Sequence, residues 1–213
     1  MSRRTKWALL PGLLIFTWLL MMAMGTGPLD RTVLLAIYSG DRPVLRSIAK
    51  AVTLFGEWQF LFPLTVIVGA ILLFVVKVRH QALLFLSICL IGRLLVHLQK
   101  VAIGRLRPEE REQLVSVNSL SFPSGHSTNA MIVFLAFALV VVPARYRPLG
   151  IVLAVGAAIA VGISRPMLGV HWPSDVLGGW SFGAAWVLML AEITQRWPFD
   201  QRRQDRLDEQ PKR

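Results

Sequence analysis

Between two long apolar runs the chain holds Ser164-Arg165-Pro166-Met167-Leu168-Gly169-Val170-His171-Trp172-Pro173-Ser174-Asp175, a stretch with the residue types of a phosphate site. Pro173 is predicted to open a helix, a position where its missing N–H is no loss. His171 then stands just before that helix and Asp175 lies in its first turn. The carboxylate can accept a hydrogen bond from one imidazole nitrogen and fix the tautomer, leaving the other nitrogen as a nucleophile. Arg165 offers a planar, permanently charged fork for phosphoryl oxygens.

Two further clusters have the same chemistry. Lys100 and Arg107, the latter followed by Pro108, place two cations about two helical turns apart at the end of an apolar segment. A phosphate carrying up to two charges needs several such donors where water is partly excluded. Pro123-Ser124-Gly125-His126 stands directly before an apolar helix. Its backbone N–H groups and the Ser124 hydroxyl can hold an anion at a helix N-terminus, Gly125 permits close approach, and His126 is placed to protonate a leaving oxygen. Taken singly, each cluster has a plainer reading: an orientation charge at a membrane edge, a structural histidine, a helix cap.

The elements that must position these groups are membrane helices. The chain has 213 residues, 54% hydrophobic and 16% charged, and its long apolar runs approach the roughly 20 residues needed to span hydrocarbon. Six spans are expected, over about 7–24, 58–76, 81–99, 127–143, 148–163 and 176–191. The fold class is therefore an all-α polytopic membrane protein, one domain over 1–195 with a basic cytoplasmic tail over 196–213. The first run, ended by Gly25 and preceded by Arg3, Arg4 and Lys6, also fits a secretory signal peptide. Arg42 to Phe55 has apolar residues at helical spacing opposite Arg46 and Lys50, the pattern of an interfacial amphipathic helix. The net charge of +11 is scattered among apolar segments and gathered in the tail, so it points to membrane orientation rather than nucleic acid. Cys89 is the one cysteine, which excludes an intrachain disulfide.

With the N-terminus inside, the inner segments hold 13 Lys and Arg and the outer ones 9, or 6 once Lys100, Arg107 and Arg165 are assigned to a site. Both termini are then cytoplasmic. All three polar clusters fall on the outer face although full spans separate them, and one site built from three loops is the economical account. Arg93 and His97 share a helical face with Lys100 within the third span. They either line the site or pair with a neighbouring helix for structural reasons.

In these residues the chain resembles the type 2 phosphatidic acid phosphatase (PAP2) superfamily, in its bacterial membrane lipid phosphatase branch. That signature has three parts, which read here Lys100 through Arg107-Pro108, Pro123-Ser124-Gly125-His126, and Ser164-Arg165 through His171 to Asp175. The resemblance covers about residues 55–190. It implies that His171 attacks phosphorus to give a phosphohistidine, that Asp175 orients the imidazole, and that His126 protonates the departing oxygen and later activates water. Lys100, Arg107, Arg165, Ser124 and the Gly125 amide would hold the phosphoryl group, with no metal or other cofactor. The implied substrate is an amphiphilic lipid phosphate or diphosphate. Undecaprenyl diphosphate and phosphatidylglycerol phosphate stand ahead of phosphatidic acid and a lipid A phosphate. No obligate protein partner is expected, and the bacterial inner membrane, with the site facing the periplasm, is the expected location. One alternative is a lipid phosphotransferase using the same site. A more remote one is an anion transporter.

Overall fold

A computed structural model describes residues 3–109 and 113–196, with side chains from Leu9 to Glu192. The basic tail expected over 196–213 lies almost entirely outside the described residues. Among the described residues every regular element is helical. Eight α-helices follow in order: α1 (Arg3–Met24), α2 (Pro28–Ile37), α3 (Pro43–Thr53), α4 (Trp58–Ala70), α5 (Arg79–Ile103), α6 (Gly125–Ala136), α7 (Arg147–Met167) and α8 (Pro173–Arg196). Proline opens α2 and α3, lies within the first two positions of α7, and opens α8 as expected. Gly104 closes α5 in the left-handed region at φ 67°, its N–H returning to the Lys100 carbonyl.

Among the described residues, four helical stretches are long and apolar enough to cross a membrane: Pro43–Val75, Arg79–Ile103, Ala144–Met167 and Pro173–Glu192. The pair Leu9–Met24 and Pro28–Ile37, bent by 99°, makes a fifth if counted as one span. The expected fourth span is apolar but short. The helix Gly125–Val141, π-helical over Phe137–Val141, rises about 25 Å against about 30 Å of hydrocarbon. The amphipathic segment forms α3 within the expected bounds. Ala49 on its inner side packs against Leu168 and Val170, while Val44 and Ile48 face outward.

The main core lies among α4 to α8, where Leu61, Phe85, Ile88, Ile132, Val161 and Val187 are almost completely buried. Helix α1 docks along α8, with the Trp18 ring 6.0 Å from that of Phe182. Helices α7 and α8 approach closely at Gly162, where a Cβ would collide with the Trp180 indole. That indole is held in place by its N–H, which donates to the Ala158 carbonyl at 3.0 Å. Gly162→Ala is therefore expected to lower stability by about 1–3 kcal/mol through overpacking. Thermal unfolding in detergent checks this, and an unchanged Tm contradicts it.

Candidate active site

Helix ends converge at one end of the bundle. Lys100 lies in the last turn of α5, Arg165 in the last turn of α7, and Asp175 in the first turn of α8. Ser124 is the N-cap of α6, Gly125 its first residue, and His126 follows. Arg107 and His171 come from the loops between these helices. The eight residues expected from the sequence thus come to the same end of the molecule, although the chain crosses the bundle between their motifs.

Asp175 is fully buried, and a carboxylate there must be paired. One oxygen accepts from the Arg105 guanidinium at 2.9 Å. The other accepts from the Ser121 hydroxyl, from the Trp172 backbone N–H at 2.9 Å, and from His171 Nδ1 at 3.2 Å. The last contact makes Nδ1 the protonated nitrogen and leaves the Nε2 lone pair free to accept. Arg107 Nη1 stands 3.0 Å from Nε2. Burial, with the charges of Arg107, Lys100 and Arg165, pushes His171 well below the usual imidazole range, so the ring is neutral. Burial also lowers Arg107, to about 10, which leaves it charged at neutral pH.

Backbone carbonyls hold the cations in place. Lys100 Nζ donates to the carbonyls of Leu120, at 2.5 Å, and Ser121, at 3.2 Å. Arg107 donates to the carbonyls of Ser119 and Val170 as well as facing His171. Arg165, buried in α7, donates to the Thr53 hydroxyl at the end of α3. At α6 the backbone N–H of Ser124 is already engaged. The Ser124 N–H donates to the Asp175 carbonyl at 3.0 Å, and its hydroxyl accepts from Ser127 at 2.9 Å. That amide therefore ties α6 to α8 and is lost to an anion. The N–H groups of Gly125, His126 and Ser127 head the helix beyond reach of an intrahelical acceptor. His126 Nε2 is buried and without a hydrogen-bond partner among the described residues. Lys100, Gly125 and His126 line a common cavity of about 540 Å³.

Several supporting residues were not singled out from the sequence. Arg105 bridges Asp175 and Ser174 to the carbonyls of Met21 and Met22 at the end of α1, both at 2.8 Å, and stacks 4.3 Å over the Phe122 ring. Asp30 of α2 accepts from the Ser174 N–H at 2.8 Å and from its hydroxyl. It thus caps the N-terminus of α8 from another helix, where negative charge also suits the helix dipole. A charge between the two cations of the first motif was the one available signal for Arg105. Nothing local marks Asp30, Ser121 or Thr53.

Residues 81–199 match the family model described as the PAP2 superfamily. The chain is 40% identical over 147 residues to phosphatidylglycerophosphatase B of Bacillus subtilis, covering 67% of this chain and 71% of that one. It is 33% identical to a lipid A 1-phosphatase of Rhizobium etli, covering 74% and 75% respectively. The crystal structure of a transmembrane PAP2 type phosphatidylglycerolphosphate phosphatase from Bacillus subtilis superposes with a TM-score of 0.81 at 33% identity. That superposition spans 88% of this chain and 96% of that one.

The pairing around Asp175 sets a strong expectation for Arg105. Arg105→Met removes the guanidinium from a buried carboxylate and is expected to destabilise the protein by about 3–5 kcal/mol. A thermal or denaturant transition matching that of the unsubstituted protein contradicts this.

Proposed function

The chain belongs to the PAP2 superfamily, and on that premise we propose that it is a membrane phosphatase that hydrolyses a lipid phosphate or diphosphate through a phosphohistidine on His171. The observation that carries this reading is the disposition of His171. Nδ1 is bound to the buried Asp175, and Nε2 faces Arg107, where a phosphoryl group would be held. In the first step Nε2 attacks phosphorus in line, forming an N–P bond as the P–O bond to the lipid breaks. His126 gives its proton to the departing oxygen. In the second step His126 takes a proton from water, which attacks the phosphohistidine and releases inorganic phosphate and free His171. Lys100, Arg107, Arg165 and the free N–H groups at the start of α6 offset the charge that builds on the equatorial oxygens. Asp175 accepts the Nδ1 proton's hydrogen bond throughout and stabilises the imidazole as charge develops on it.

The protein is an integral membrane protein, and we read six spans in it, the bent α1–α2 pair and the short Gly125–Val141 helix included. The basic turns at Lys77–Arg79 and Arg145–Arg147 lie at the end of the bundle opposite the site. This supports both termini in the cytoplasm and the site facing the outside of a bacterial inner membrane. The relatives are named for phosphatidylglycerol phosphate, lipid A phosphate and, over a shorter match, undecaprenyl diphosphate. A substrate of that amphiphilic class fits a site at a membrane surface. The phosphotransferase alternative differs only in the acceptor, which a single purified lipid tests.

Detergent-purified protein supplied with one such lipid is expected to release inorganic phosphate with EDTA present, and His171→Ala to release none. Lys100→Ala and Arg107→Ala should each weaken transition-state stabilisation by about 2–4 kcal/mol. Turnover by His171→Ala, or wild-type kcat/KM in both cation variants, contradicts these roles. Transfer to a second lipid without phosphate release favours the transferase.

A further inference from the structure

Two polar side chains of α5 take no part in the chemistry proposed above. Arg93 and His97 lie seven and three residues before Lys100, so the three polar groups follow one another down a single stripe over about 10 Å of helix. Both side chains are exposed on the outside of the helix bundle. Neither has a hydrogen-bond or ion-pair partner among the described residues. A guanidinium within an apolar span is costly without a partner, and such groups commonly mark a substrate path. Their surroundings point to one. Arg93 and His97 line the same cavity of about 540 Å³ as Lys100 and His126, with Trp58 and Asn129 completing its polar and aromatic wall.

We propose that Arg93 and His97 bind a second phosphoryl group of the substrate, the one that stays on the leaving lipid. The protein then selects lipids bearing two phosphoryl groups over lipids bearing one. This rests on the phosphatase reading. The transferred phosphoryl group sits among Lys100, Arg107 and His171, and His126 faces the departing oxygen. The cavity wall continues from Lys100 and His126 to His97 and Arg93, so whatever hangs from that oxygen extends along the stripe. An anionic phosphoryl group there supplies the partner that both side chains lack. Two chemical forms meet this description: a diphosphate, whose phosphoryl groups are adjacent, and a phosphodiester spaced from the terminal phosphate by glycerol. A diacylglycerol leaving group carries nothing for the stripe to hold.

The test compares wild-type protein, Arg93→Gln and His97→Gln on phosphatidylglycerol phosphate, undecaprenyl diphosphate and phosphatidic acid in one detergent. Loss of a charged hydrogen bond is expected to lower kcat/KM at least about tenfold for one or both two-phosphoryl lipids. With phosphatidic acid the change should stay within about threefold. Which of the two lipids responds identifies the spacing. An equal fall on phosphatidic acid, or no fall on any lipid, overturns the proposal. If wild-type protein releases phosphate from none of the three, the phosphatase reading falls by itself. Calorimetric binding of short-chain phosphatidylglycerol then decides the subsite: Arg93→Gln weakens it at least about tenfold if the subsite stands, and leaves it unchanged if it does not.

Discussion

A single buried carboxylate organises the site. Asp175 has no exposed surface, and an unpaired carboxylate in such a place would be very unfavourable. It is tolerated because four donors reach it from three segments of the chain: Arg105, Ser121, and the neighbouring Trp172 amide and His171. Each bond fixes the segment that supplies it. The loop after α5 is held through Arg105, the approach to α6 through Ser121, and the turn before α8 through Trp172 and His171. The proposed chemistry rests on the same arrangement, because the proton held on Nδ1 leaves Nε2 as the basic atom facing Arg107.

That constraint also makes the first helix part of the site's support. Arg105 spends one arm on the carbonyls of Met21 and Met22, which end α1 with no intrahelical donors of their own. Cleavage after the first run, as a signal peptide would require, would take those acceptors away and strip α8 of the helix packed along it. Asp30 acts in the same way from α2, because its carboxylate occupies the N-terminus of α8 and ties α2 to the turn that bears His171.

The residues proposed to react could be picked out in the sequence because the chemistry assigned to them dictates local spacing. A histidine and an aspartate four apart across a helix start must meet, and His171 and Asp175 do. Gly125 and His126 head a helix because an apolar run follows them. The residues that support them were not legible, since Asp30 meets Ser174 from 144 positions away and Thr53 meets Arg165 from 112. Such pairs are created by the packing of α2 and α3 against the end of the bundle, and no local pattern announces them. The spans were legible by composition, less so by length. The π-helical end of Gly125–Val141 and the 99° bend after α1 arise from packing and from Gly25, Gly27 and Pro28, and they blur a count made on apolar runs.

That His171 carries the phosphoryl group covalently while Asp175 holds its ring is tested most directly by acid-free rapid quenching of the protein, within the first turnover, with lipid labelled in its terminal phosphate. The expected label is stable in alkali, labile in acid, confined to the peptide bearing His171, and lost in Asp175→Ala. Label on another residue, or turnover with no labelled protein at any time, would contradict the covalent role of His171.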